Sequence, residues 1–146
     1  MSFINKLTQK EFNELLVSTK TLHFVDFYAD WCGPCTRMLP IIENYAQDPD
    51  FVGKINFHKV NVDYEEDLSL KFGVRGIPYF VLFETEEKEG KFEILKNWVG
   101  TQDPFKLKAD MLLTLSASNT LVVSPTDSIN IPNSNSIDTS ILSNNK

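Results

Sequence analysis

Val25-Asp26-Phe27-Tyr28-Ala29-Asp30-Trp31-Cys32-Gly33-Pro34-Cys35 joins two unlike halves. The first half completes Leu22 to Ala29, a nearly unbroken apolar run interrupted by His23 and Asp26. Such a run reads as a central strand covered on both faces. The second half opens a helical stretch, Met38 to Gln47. Pro34 suits the first turn of that helix, where its missing N–H is no loss. Pro40 lies inside the helix and should kink it.

Upstream, Thr8-Gln9-Lys10-Glu11 has capping-box spacing, and Phe12, Leu15 and Leu16 recur on one helical face. A helix from Thr8 to Thr19 is expected, preceded by a short strand at Phe3 to Asn5. Downstream, Lys54 to Val62 carries Ile55, Phe57, Val60 and Val62 and reads as a strand. Tyr64 to Phe72 is an acidic-started helix that stops at Gly73. Ile77 to Phe83 is a strong strand, Glu84 to Gly90 a charged hairpin connection, and Lys91 to Val99 the returning strand. Thr101 to Leu115 is the last helix, with Asp103-Pro104 at its start and Phe105, Leu107, Met111, Leu112 and Leu115 as its apolar set. The order β-α-β-α-β-α-β-β-α defines an α/β class: a central mixed sheet of four to five strands with helices on both faces. Strands joined by helices run parallel, and the pair joined by the hairpin runs antiparallel.

From Ser116 the composition changes. Ser116 to Lys146 is rich in Ser and Asn, holds no Phe, Tyr or Trp, and carries only Asp127, Asp138 and Lys146 as charges. The expected division is a folded domain over residues 1–115 and a disordered tail over 116–146. Leu121-Val122-Val123 and Ile141-Leu142 offer docking spots, against the plain solvated extension that the composition favours.

The 146 residues are 42% apolar and 12% aromatic, with eleven Phe, which fills an ordinary globular core. A net charge of −6 with pI near 4.9 argues against a nucleic-acid surface, which needs a basic face. No run approaches the ~18 apolar residues of a membrane span. Met1 to Lys10 has no secretory or transit character, so a cytoplasmic location is the expectation.

Cys32 and Cys35 are the two cysteines of the chain. They are too close in sequence to close a useful structural loop, and in a cytosolic chain this spacing suggests redox work. A thiol attacks a disulfide only as a thiolate. Cys32 stands just before a helix N-terminus, where free N–H groups and the helix dipole favour negative charge. Cys35 lies on the same side, near enough to resolve a mixed disulfide that Cys32 forms with a target.

The stretch resembles the active-site segment of thioredoxins almost residue for residue, and a full Trp-Cys-Gly-Pro-Cys after an Asp-containing apolar strand is highly specific. The resemblance recurs downstream at Lys59-Val60-Asn61-Val62-Asp63, Gly73-Val74-Arg75-Gly76-Ile77-Pro78 and Val99-Gly100, and covers roughly Phe3 to Leu115. It implies a thioredoxin fold and reduction of disulfides in other proteins, with Cys32 as nucleophile and Cys35 as resolving thiol. Asp26 is then a buried acid, raised by desolvation, that moves protons for Cys35; a purely structural Asp is the competing reading. Lys59 is its basic partner, or else an exposed strand-end lysine. Pro78 matches the family's cis-proline beside the cysteines, against an ordinary trans proline starting a strand. Trp31, Gly33, Pro34, Ile77, Pro78, Val99 and Gly100 would form a flat apolar patch around Cys32, pairing with an extended client through the Ile77 backbone. Trp98 either widens that patch or packs in its strand.

The expected partners are protein disulfide substrates and a thioredoxin reductase, without nucleic acid or membrane, and the chain is expected to be a monomer. No cofactor is called for. His23 reads as a core histidine, and His58 has no neighbouring ligand set, so no metal site is expected. The charged connection at Glu84 to Gly90 departs from the family's short glycine turn. Two rivals are an oxidase or isomerase of an oxidising compartment, and a thioredoxin-fold binding or chaperone-like module with idle cysteines.

Overall fold

Thr8 has extended backbone angles and its hydroxyl accepts the Glu11 N–H, while Glu11 reaches back to the Thr8 N–H at 3.0 Å. The expected capping box is therefore formed, and it starts helix α1 (Gln9–Leu16) in a computed structural model that describes residues 3–123. Before it lies β1 (Asn5–Lys6), a little later than expected. Then follow β2 (Leu22–Tyr28), α2 (Gly33–Ala46), β3 (Asn56–Asn61), α3 (Glu66–Lys71), β4 (Tyr79–Thr85), β5 (Phe92–Val99) and α4 (Pro104–Val123).

The sheet order is β1-β3-β2-β4-β5, with β2 central. β3 runs parallel to β1 and β2, whereas β4 runs antiparallel to β2 and β5. The element order and the mixed five-stranded sheet are those expected. Boundaries differ at two informative places. Helix α2 starts at Gly33, directly after Cys32, because Pro34 sits in its first turn, and it continues through Pro40. Helix α4 passes Leu115 and runs to Val123, since no glycine or proline interrupts the sequence before Pro125. The expected tail beyond residue 123 lies outside the described residues.

Alternation along β2 assigns its residues to opposite faces. Val25 and Phe27 share a core with Phe12 of α1, Leu68 of α3, and Val81 and Phe83 of β4. Edge-on contacts join Phe12 to Phe72, Phe83 and Phe92 in this layer. Phe24 and Asp26 point the other way, where Phe24 meets Phe57, Phe80 and Trp98. Met38 and Ile42 of α2 are fully buried.

The chain divides into two units at Ala109 and Asp110. The first holds the sheet, α1 to α3 and the opening of α4, where the Tyr45 hydroxyl donates to the Pro104 carbonyl and Lys108 pairs with Asp48 at 2.7 Å. The second is described only as helix, within which Thr114 Oγ1 donates to the Asp110 carbonyl at 2.9 Å.

Candidate active site

Cys32 is the N-cap of α2, in extended backbone, and its sulfur accepts the Cys35 N–H at 3.2 Å. The 14-residue helix thus turns its N-terminal end, with the Cys35 N–H, toward this sulfur. Two further bonds hold the cap: the Cys32 N–H donates to the Ala29 carbonyl, and the Thr36 N–H donates to the Cys32 carbonyl, both at 3.1 Å. Cys32 and Cys35 are joined as a disulfide with Cα atoms 5.2 Å apart. Both are enclosed, with Cys32 5% and Cys35 3% exposed.

Tyr28, Val62 and Ile77 pack against the small cluster of Ala29 and the two cysteines. The Ile77–Pro78 bond is cis, as the matched position implied. Among the described residues no backbone hydrogen bond engages Ile77, so its N–H and carbonyl stay open to an added strand. The Gly100 N–H donates to the Pro78 carbonyl at 2.7 Å, and a side chain at Gly76 would meet Val99 Cγ1 at 3.5 Å. These contacts bring Val99 and Gly100 to the proline loop. Val99 is 59% exposed and Trp31 72% exposed, so both present apolar surface. Gly33 is exposed and Pro34 half-buried at the start of α2. Trp98 belongs elsewhere: it is buried in β5 with its ring against Phe24.

Asp26 is 1% exposed. Burial raises its carboxyl to about 7, against a smaller opposing pull from Lys59. Its Oδ1 has no hydrogen-bond partner among the described residues. Lys59 is its register neighbour on β3 and is half-buried, with its ammonium 5.8 Å from the centre of the Tyr28 ring. Asp26, Lys59, Cys35 and Thr36 line one cleft of about 120 Å³. Strand β2 and helix α2 thus put the acid and the second cysteine on the same small volume.

The family model for thioredoxin matches residues 3–109. The chain belongs to the thioredoxin family. It is 36% identical over 93 residues to a thioredoxin of Pseudomonas aeruginosa, covering 64% of this chain and 81% of that one. It is 34% identical over 86 residues to the chloroplastic thioredoxin M-type of Pisum sativum, covering 59% of this chain and 49% of the pea protein. The solved structure of Malassezia sympodialis thioredoxin superimposes with a TM-score of 0.65 at 26% identity, covering 79% of this chain and 93% of that one. The chain spans about half of the pea protein's length and about four fifths of the Pseudomonas one.

Within this thioredoxin site, some partners were not evident from the sequence. Trp31 Nε1 donates to Asp63 Oδ2 at 2.9 Å, across 32 residues. Asp63 stood in a recognised motif without a role, because nothing local says that the end of β3 meets the loop before α2. The two histidines are also a pair: His23 Nδ1 lies 2.9 Å from His58 Nε2, and His23 Nε2 lies 2.6 Å from Thr21 Oγ1. They lie 35 residues apart in the chain, which hid the contact. Burial lowers His23 to about 3, helped by His58, and lowers His58 to about 4.

Proposed function

We propose that this thiol–disulfide oxidoreductase of the thioredoxin family acts as a cytoplasmic, monomeric reductase, recharged by a thioredoxin reductase and spending its electrons on disulfides of client proteins. The observation that carries the reading is the cap of α2: a cysteine sulfur that accepts an N–H at a helix start, already paired with Cys35. In the reduced chain that cap stabilises negative charge on Cys32.

The Cys32 thiolate attacks one sulfur of the client disulfide. A mixed disulfide forms, and the other client sulfur leaves and takes a proton. Asp26, as a carboxylate, accepts the proton of Cys35 across their shared cleft. The Cys35 sulfur then attacks Cys32 Sγ, the Cys32–Cys35 disulfide closes, and the second client sulfur departs and is protonated. Two electrons pass to the client, and the reductase restores the thiol pair with two electrons and two protons. Trp31, Gly33, Pro34, Ile77, Pro78, Val99 and Gly100 bind the client segment, and Lys59 is the counter-charge of Asp26. The division into a thioredoxin domain over 1–115 and an added segment over 116–146 is part of this reading. Among the described residues no helix is long and apolar enough to cross a membrane.

Turbidity of insulin under dithiol reductant tests the proposal. The native chain should precipitate the insulin B chain, while Cys35→Ser should lose turnover and accumulate a client bound through Cys32. Full insulin reduction by Cys32→Ser would defeat it. A strongly oxidising reduction potential would replace the reductase by an oxidase.

A further inference from the structure

Tyr28 stands two residues after Asp26 on β2, so both side chains leave the same face of the sheet. Tyr28 is a wall of two clefts. One is the cleft of about 120 Å³ that Asp26 and Cys35 line. The other, about 280 Å³, is lined on its far side by Lys6, Tyr64 and Glu65. Tyr28, Asp30 and Lys59 belong to both walls. Lys59 therefore has a choice of surroundings, and its ammonium lies over the Tyr28 ring at 5.8 Å. A cation held over an aromatic face is attracted by the negative face of the ring.

The ring also has a polar neighbour on the next strand. Asn61 is the register neighbour of Tyr28 on β3, close enough for its side chain to favour the Tyr28 phenolate. The Asn61 Oδ1 accepts the Asp63 N–H at 2.9 Å, which holds the amide in place beside the ring. Asp63 in turn accepts from Trp31. Polar contacts thus run from the rim tryptophan through Asp63 to Asn61, the strand neighbour of the ring beneath Lys59.

We propose that Tyr28 is a positioning residue: its ring, with Asn61 beside it on β3, holds the Lys59 ammonium beside Asp26 and keeps it from swinging into the second cleft, and so sets the charge state of the acid that serves Cys35. This deepens the roles given above to Asp26 and Lys59 and rests on them. The charges that face the carboxyl are Lys59 from β3 and Asp30 from the loop after β2, with Cys35 of α2 tied in the disulfide. Lys6 and Glu65 sit beyond the ring, and Glu65 is the anion that would draw Lys59 away.

The test is a carbon-13 NMR titration of the Asp26 carboxyl in the oxidised full chain. Tyr28→Leu should raise its midpoint by about half a pH unit, the equivalent of an exposed cation–π contact. Tyr28→Trp, which keeps an aromatic face, should leave the midpoint in place. Asn61→Ala should give a smaller rise in the same direction, and it decides the matter should Tyr28→Leu fail to fold. Lys59→Met should raise the midpoint at least as far as Tyr28→Leu, and adding Tyr28→Leu to it should change nothing more. A midpoint unmoved by Tyr28→Leu while Lys59→Met moves it overturns the positioning role and leaves the Asp26–Lys59 pairing standing. A double variant that exceeds Lys59→Met alone also overturns it, since Tyr28 would then act without the lysine. No response to Lys59→Met sinks the pairing and this inference together.

Discussion

In the proposed mechanism Asp26 is the proton acceptor for Cys35, and burial, outweighing the opposing pull of Lys59, places its carboxyl at about 7, within reach of the working pH. Below that value it holds its proton and cannot take one from Cys35; above it, it can. Client reduction should therefore rise with pH through about 7 in the native chain. Asp26→Asn should lose that inflection and reduce the rate at neutral pH by roughly a hundredfold. Stopped-flow rates of client reduction between pH 5 and 9 would show it, and an inflection that survives the substitution would remove Asp26 from proton transfer. An acid in an apolar strand was legible from sequence as a candidate. Its neighbours were less so, since Tyr28 and Asn61 gain meaning only when β2 and β3 lie side by side.

Elements matter through their ends. Helix α2 presents Cys32 as a cap, and the turn after β5 carries Gly100 at φ +85 with its N–H on Pro78. A Cβ at Gly100 would meet nothing within 4 Å, so the penalty of Gly100→Ala is backbone strain. We expect a loss of about 1–2 kcal/mol in chemical denaturation, together with slower client reduction, because Val99 and the proline loop lose their register. Thr8→Ala is the contrast. Removing the capping-box hydroxyl should lower stability by about 1 kcal/mol and leave disulfide exchange unchanged. Equal slowing by both variants would show that stability, not the patch, governs exchange. The start of α1 was readable because a capping box is local. The span of α4 was not, because composition suggested a break at Ser116 where backbone geometry needed none.

Across the whole molecule, two buried titrations oppose one another. Asp26 has its folded value raised from 3.8 to about 7, so its contribution is fully present below about 4 and is lost as pH rises towards 7. His23 and His58 are lowered to about 3 and about 4 from 6.5, so theirs is present above 6.5 and is lost as pH falls. Between pH 4 and 6.5 the slopes have opposite signs and partly cancel. Asp26→Asn removes one of them. Its stability should then fall with acidification more steeply than that of the native chain, by about 1.4 kcal/mol per pH unit over this window. Guanidinium denaturation at pH 4.5, 5.5 and 6.5 measures the difference, and parallel slopes would show that Asp26 is not held neutral by the fold.

The sequence by itself determined the order of elements, the start of α1, the membership of the cysteine pair in a helix start, and the chemistry two such sulfurs perform. Each is a consequence of neighbours within a few residues, where capping, periodicity and spacing act. Only the tertiary structure decided that Trp31 rests on Asp63, that His23 meets His58, that Trp98 turns inward and that Lys59 lies over Tyr28. Those contacts join residues on different strands and loops, and sheet register, not chain distance, brings them within reach.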